Sequence, residues 1–472
     1  FTIQHWYEVK TPRVVEAIAV LPFTNLTGND EEQYFVDMMH DAVIGELSKI
    51  GELIVKSRTS TLQFRDTKLT IPEIARMLNV DAIIESSVFK TGDSVLIQVQ
   101  LIQARPVEDH IWAKEFERDT RHILSLYGEL AKTVARDVEI QLTPQEEILL
   151  THTKEVNPEA YKAYAQGLFH WNKLSKENLD IAENYFNLAN EIDPDFALAY
   201  LGLSSVYGGR AQQGLIPYHE SIIHVTKYLN KALELDSTSP EMRFRLAGFN
   251  TWGLWDFEKG EIEYRKGLTY NPNNTKARIY YAQLLCILHD YEEAARQCDI
   301  ALNLDPYNNL SKGIIGMNLN FSGKYDEAIS ISNEIRETDP YNSIALSTLR
   351  TSYHLQGDYD LAIEIWRDSY RKDTAATIAL EKGLKNGGYA EAMKNLAELF
   401  VIRSQTKFVT PWRICTMYVR AGLKDEALEW MEKAYIAHDP NMPYISTDHI
   451  FDYMRDDPRF QVLINKMGFP EK

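Results

Sequence analysis

Histidines, cysteines and clustered carboxylates are the side chains with which a protein most often does chemistry, and here they are thinly spread. Twelve histidines and three cysteines are scattered over 472 residues. His438 and His449, near Asp439 and Asp448, come closest to a metal-ligating group, since imidazole and carboxylate together suit a divalent ion. Solvated polar residues of a chain end account for the same four. The stretch from Asp452 to Asp457 lacks the spacing of a calcium loop. Three cysteines cannot build a disulfide framework. Cys286 and Cys298 read as small buried hydrophobes, with a bridge between them as the alternative. No Gly-rich phosphate loop, Gly-x-Ser-x-Gly, His-Glu-x-x-His or Cys-x-x-Cys is present. Asn25-Leu-Thr27 and Asn273-Asn-Thr275 are formal glycosylation sequons, a motif short enough to arise by chance. The expectation is a non-enzymatic chain that needs no metal and no cofactor.

Bulk properties narrow the alternatives. At roughly 100–200 residues per domain the length suggests two to four units. Apolar residues make up 44% and charged residues 25%, enough for a sizeable core. The net charge of −18 is evenly spread: 24 acids face 15 bases in residues 1–150, and 44 face 35 in the remainder, −9 each. An evenly acidic chain argues against direct binding to nucleic acid or to an anionic membrane surface, both of which call for clustered Lys and Arg. No run of 18 apolar residues spans a bilayer. The sequence opens on Phe1, and Phe1, Ile3, Trp6 and Tyr7 suit the end of a membrane-proximal segment, so residues 1–15 read as a lead-in tethered by something upstream.

Any site must be positioned by two kinds of element. Residues 16–145 are mixed α/β. Ala17 to Phe23 is a continuous apolar run, the mark of a strand buried on both faces. After the turn residues Asn25 to Asp30, a helix is expected to about Lys49, opened by Asp30, Glu31 and Glu32. Leu53–Ser57 reads as a strand, Ile71–Leu78 as a short helix with Pro72 in its first turn, and Ala82–Val88 as a strand. Thr91-Gly92-Asp93 turns into Ser94–Gln103, where Val95, Ile97, Val99 and Leu101 alternate with polar residues. A strand at His110–Phe116 and a helix from about Arg121 to Leu142 close a small mixed sheet with helices packed on it. Residues 146–158 form a proline-bounded joint, so residues 16–145 should fold independently of residues 159–472.

Beyond the joint one spacing dominates. Asn271, Asp305, Asp339 and Asp373 lie 34 residues apart, the first three followed by Pro272, Pro306 and Pro340. This is the signature of the tetratricopeptide (TPR) repeat, two amphipathic helices per unit. Ala282, Ala294 and Ala301, then Gly316 and Ala328, then Ala362, fall where the two helices of a unit touch. Each proline stops the second helix. The array is expected over residues 159–440, about seven helix pairs with a degenerate one around Gly387-Gly388. A loop insertion is expected at Gly208–Pro217, and residues 441–472 read as a cap over the last apolar face. The fold class is thus an α/β amino-terminal domain followed by an all-α TPR superhelical solenoid.

Residues 16–145 also carry a resemblance. Ile18 to Phe23, Asn25-Leu-Thr-Gly28, Arg58-Thr-Ser60, Leu78 to Val88, Val99 to Ile102 and Ile111-Trp-Ala113 look like the TolB-type amino-terminal domain. That domain is coupled to TPR arrays in CadC-like transmembrane regulators and beside adenylate cyclase domains. Glu426 to Trp430, Asp439 to Pro443 and Arg455 to Phe460 resemble the closing segment of such proteins. The resemblance implies transcriptional regulation or signal transduction, with this part on the periplasmic side of a bacterial inner membrane.

In TPR geometry the first helix of each unit lines the inner wall of the solenoid. Its positions place Arg245, Phe249, Trp252, Ile279, Gln283, Met317, Asn320, Thr351 and His354 there as candidate partner-binding residues. Phe249, Trp252, Ile279 and Met317 would form an apolar strip facing water, a feature that marks binding sites. The expected function is a sensor or scaffold that takes a protein or peptide in this groove. The rival puts a small ligand in the α/β domain and makes the repeats a homodimerisation arm.

Overall fold

The computed structural model describes residues 15–29, 32–151, 155–171, 173 and 175–470. Residues 1–14 of the lead-in and the acids Asp30 and Glu31 lie outside the described residues. The chain divides into two compact units, residues 1–158 with 269–273, and residues 159–268 with 274–472.

The first unit is built from β1 (Ala17–Val20), β2 (Thr24–Asn25), α1 (Gln33–Leu47), β3 (Ile54–Val55), α2 (Arg58–Leu62), α3 (Ile71–Leu78), β4 (Ala82–Thr91), β5 (Ser94–Gln103), β6 (Asp109–Asp119), α4 (Ile123–Asp137) and α5 (Pro144–Leu149). Strand order is β3-β1-β4-β5-β6, with β2 beside β4. β1 runs parallel to β3 and β4, while β4, β5 and β6 form an antiparallel meander. Both faces of β1 are covered, as its unbroken apolar run requires. Ala17 and Ala19 join Ile74, Ala75 and Leu78 of α3 in one core cluster. Ile18 and Val20 are wholly buried, and the Val20 carbonyl accepts from Nε2 of His40 on α1 at 2.9 Å. α3 and β5 fall where the pattern puts them, and Thr70 with Glu73 caps α3 reciprocally. β2 and α2 leave no pattern in the sequence.

The second unit is a run of antiparallel helix pairs: α6 (Pro158–Trp171) with α7 (Lys176–Ile192), α8 (Ala197–Gln212) with α9 (Tyr218–Leu235), and α10 (Pro240–Gly248) with α11 (Phe257–Tyr270). Then come α12 (Thr275–Ile287) with α13 (Tyr291–Leu304), α14 (Asn309–Phe321) with α15 (Tyr325–Thr338), and α16 (Ser343–Gln356) with α17 (Tyr359–Tyr370). α18 (Thr374–Ser404) is two helices joined across a kink at Gly387 and Gly388, and α19 (Pro411–Arg420) pairs with α20 (Lys424–Ile436). Short 3-10 turns at Met442–Ile445 and His449–Met454 lead to α21 (Pro458–Lys466).

Small residues set the closeness of these pairs. Ala282, Ala301, Ala328 and Ala362 are wholly buried and Ala294 nearly so. Phe186 is wedged between α6 and α8, where a Cβ added to Gly167 or Gly202 would lie 2.4 or 2.7 Å from its ring. The expected loop at Gly208–Pro217 is only partly a loop. α8 continues through Gly208 and Gly209 to Gln212, because Gly208 leaves room for Arg245, whose Nη2 would stand 2.8 Å from an added Cβ.

Candidate functional site

The inner-wall residues are placed by α10, α12, α14 and α16, and most of them are already occupied. Arg245 donates from Nε to Ser204 Oγ at 3.1 Å and from Nη2 to the Ser204 carbonyl at 2.7 Å. Burial brings its guanidinium down to about 10. Beyond α10 the backbone widens into a π-helical turn, Phe249–Leu254, which rotates the two aromatic residues away from a regular helical register. Phe249 packs on the cluster of Leu201, Leu229 and Met242. Trp252 packs on the main core, edge-on to Tyr280 at 5.9 Å.

The expected apolar strip is not an open one: Phe249, Trp252 and Met317 are only part-exposed. Ile279 is wholly buried, Gln283 is 2% exposed and Asn320 is 3% exposed. Asn320 is fully engaged: Nδ2 donates to the Thr348 carbonyl at 3.0 Å, and Oδ1 accepts from Ser352 Oγ at 2.7 Å. Met317 is part-buried against the core, with Gln283 Nε2 4.0 Å from its sulfur. These assignments as open partner-binding residues are therefore corrected: Ile279, Gln283 and Asn320 are core, and Phe249, Trp252 and Met317 are largely packed.

The physical reason lies far along the chain. Residues 438–454 run over the ends of the first helices of successive pairs. His438 Nε2 donates to the Gly253 carbonyl at 2.8 Å, and its ring stacks on Trp255 at 3.6 Å. Ser446 Oγ donates to the Ile287 carbonyl at 2.9 Å, and Thr447 Oγ1 lies 3.1 Å from the Tyr291 hydroxyl. Tyr444 stacks on Phe321 at 5.4 Å, and His449 Nε2 is 3.2 Å from the Phe321 carbonyl. Tyr453 donates to the Val419 carbonyl at 3.2 Å. Met442, Ile445, Phe451 and Met454 are wholly buried in the same core cluster as Ile279, Ile287 and Phe321. The first part of the expected cap is instead a lining whose contacts run from the α10–α11 pair to α19, while α21 packs on α20 of the last pair as a cap should. Burial of the lining leaves no orphaned charge at Asp439, which accepts from the Asn441 and Trp412 backbone N–H groups at 3.1 and 3.3 Å.

This placement also decides the chemistry-bearing residues. His438 and His449 contact different helix pairs, and among the described residues no three His, Cys, Asp or Glu side chains gather to hold a metal. Cys286 and Cys298 are free and buried, and burial raises both thiols, Cys298 to about 11.

Thr351 and His354 are the two remaining candidates, and they border a cluster that the sequence reading missed. Arg420 on α19 donates from Nη2 to Thr351 Oγ1 at 2.9 Å. His354 stacks on Tyr389 at 5.6 Å, and burial, reinforced by Arg420, lowers its imidazole to about 3. Arg350 lies over the Trp366 ring at 4.1 Å, and Arg413 completes the group 5.6 Å from Phe400. One signal was available: Arg350 occupies the repeat position held by Ala282 and Gly316 in the two preceding units, where a small residue is expected. On the first unit, a shallow cavity of about 690 Å³ is lined by Lys114, Lys132 and Arg136 together with Glu115 and Glu129.

Comparison with known proteins adds three findings. Residues 15–131 match the family model of the HilA/YgeH-like transcriptional regulator, second domain. A protein named putative adenylate cyclase 3, from Rhizobium meliloti (strain 1021), is 28% identical over 242 residues, half of this chain. The chain spans 40% of the length of that curated relative. Among solved structures, a tetratricopeptide repeat protein from Parabacteroides merdae is similar at 19% identity over 55% of this chain and 99% of its own, with a TM-score of 0.36. A human IFIT1 dimer is similar at 15% identity over 72% of this chain and 76% of its own, with a TM-score of 0.44.

Proposed function

We propose that this chain is the non-catalytic, partner-docking part of a bacterial regulatory protein whose output domain lies outside these residues. The observation that carries the reading is the match of residues 15–131 to the second domain of a transcriptional regulator, in one chain with a helical-repeat unit. The relative named as an adenylate cyclase supports it, because less than half of that protein aligns and the catalysis its name implies needs sequence of its own. The α/β unit is of TolB-like descent in this reading. The module stands on the periplasmic side of the inner membrane, tethered by a segment upstream of Phe1. A protein or peptide partner docks on the repeat unit outside the strip that residues 438–454 cover. Protease added to spheroplasts of a producing strain tests the placement: the chain should be cut without lysis, and cutting only after lysis would overturn it.

The cavity on the first unit favours a second reading, in which Lys114, Lys132 and Arg136 help hold a small ligand and the repeats serve as a homodimerisation arm. Light scattering of the purified chain separates the two, since this reading requires a dimer.

A further inference from the structure

Three arginines of the repeat unit gather where no carboxylate meets them. Arg350 comes from α16, and Arg413 and Arg420 come from α19, seven residues apart and so on one helical face. Among the described residues no acid lies within ion-pair distance of any of the three, in a chain whose net charge is −18. The acids they feel at longer range are Asp448, opposite Arg420, and Asp439, opposite Arg413; burial pushes both carboxyls up, toward the neutral form. Asp373, the other acid nearby, is held by Arg403 at 2.5 and 2.6 Å. Burial lowers the Arg350 guanidinium to about 10; Tyr370 opposes this, and repulsion from Arg420 and Arg413 adds to it.

The groups around them are donors in need of an acceptor. Arg420 gives Nη1 to the Thr416 carbonyl and Nη2 to Thr351, but its buried Nε has no partner. The Trp366 ring N–H and the Tyr389 hydroxyl are buried beside each other, the ring N–H turned to the hydroxyl oxygen, and neither has a further partner. His354 Nδ1 is buried without any. Buried polar atoms are nearly always matched, so Arg420 Nε and His354 Nδ1, unmatched and close together, point to a missing partner. Aromatic faces complete the surroundings: Trp366 stacks on Tyr370 at 5.6 Å, and Tyr389 stacks on Tyr359 at 4.6 Å.

We propose that Arg350, Arg413 and Arg420 form a binding site for a small phosphate ester, whose organic body lies against Trp366, Tyr370 and Tyr389. A phosphate monoester carries close to two negative charges and three acceptor oxygens. Planar guanidinium groups meet such oxygens two at a time. A carboxylate offers one charge and two oxygens, fewer than three guanidinium groups and their neighbouring donors demand. The Arg350 side chain takes the place of a small residue between α16 and α17, and so sets its charge against the Trp366 ring. This assignment does not depend on the signalling role above.

Calorimetric titration of the 472-residue chain tests it, with phenyl phosphate, inorganic phosphate and benzoate as probes at low ionic strength. The pH should be about 7.5, above the second phosphate pKa of about 6. Phenyl phosphate should bind, inorganic phosphate more weakly and benzoate most weakly. Arg413→Gln, at an exposed position where the fold tolerates change, should weaken phenyl phosphate roughly tenfold, and Arg420→Gln at least as much. Absence of binding by either phosphate, or unchanged affinity in Arg413→Gln, overturns the site. Benzoate binding as tightly as phenyl phosphate overturns the phosphate assignment, and equal affinity for the two phosphates overturns the role of the rings.

Discussion

His438 lies flat on Trp255, with ring centroids 3.6 Å apart and planes 6° from parallel, while its Nε2 holds the Gly253 carbonyl. Trp255 adopts a left-handed backbone, φ 58°, just after the π-helical turn. The contact therefore fixes where the covering segment enters the array, 185 residues from its partner in sequence. Replacing His438 by Ala removes a stacked ring and a hydrogen bond, an expected loss of about 1–2 kcal/mol. Hydrogen exchange should quicken across residues 438–454. Unchanged protection there would mean that the stack does not anchor the segment.

Phe249→Ala with Trp252→Ala should act on stability rather than on an exposed surface. Both side chains pack on the core, so the double variant should lose about 3–5 kcal/mol, measured by urea unfolding. A loss below about 1 kcal/mol, with the fold intact, would make the two rings open binding residues again.

Ala294 lies 2% exposed where α12 and α13 meet, so Ala294→Leu should cost about 1–3 kcal/mol through overpacking. An unaltered melting temperature would show that this contact has room to spare.

Two glycines should respond oppositely to alanine. A Cβ on Gly383 would lie 2.4 Å from the Ala392 Cα, a backbone atom that cannot swing aside, so Gly383→Ala should destabilise by about 1–3 kcal/mol. Gly45, within α1, has nothing within 4 Å of an added Cβ, and Gly45→Ala should stabilise by about 0.5–1 kcal/mol. Denaturant midpoints of the two variants check both signs.

His40 makes the first unit sensitive to acid. Burial lowers its imidazole from 6.5 to about 4, against the pull of its bond to Val20. A base whose folded pKa is lowered stays neutral in the folded chain while the unfolded chain takes up a proton. Stability is therefore fully present above pH 6.5 and falls as the pH drops toward 4, by about 3 kcal/mol in all. His40→Gln should flatten this slope in urea titrations between those pH values, and an unchanged slope would assign the acid sensitivity elsewhere.

What the sequence made legible was what its neighbours decide. α3 needs only Pro72, its cap and its apolar face, and β5 only its alternation, so both were read to the residue. The 34-residue spacing likewise reports a local event, one helix pair stopped and restarted. β2 and α2, of two and five residues, are too short to show a period. Gly208-Gly209 has the composition of a loop, and the arginine that approaches Gly208 comes from the next helix pair, out of reach of any local pattern. Ile279 and Asn320 occupy positions that repeat geometry leaves open. Nothing close to Ile279 in the sequence says that Tyr444 and Met442 join its core. Arg350 broke the small-residue rule in plain view, but its meaning depends on Arg413 and Arg420, more than sixty residues on.

In a stack of repeats each unit ordinarily rests on its neighbours alone, so folding can spread one pair at a time. The lining contributed by residues 438–454 changes the order of events. During synthesis, α10 to α17 leave the ribosome well before Tyr444 and Phe451 exist, and their inner side chains must wait in water or on a chaperone. The final step closes contacts of very long sequence separation, which slows it. The array should therefore be assembled last-made segment last, and come apart as a block instead of fraying from an end.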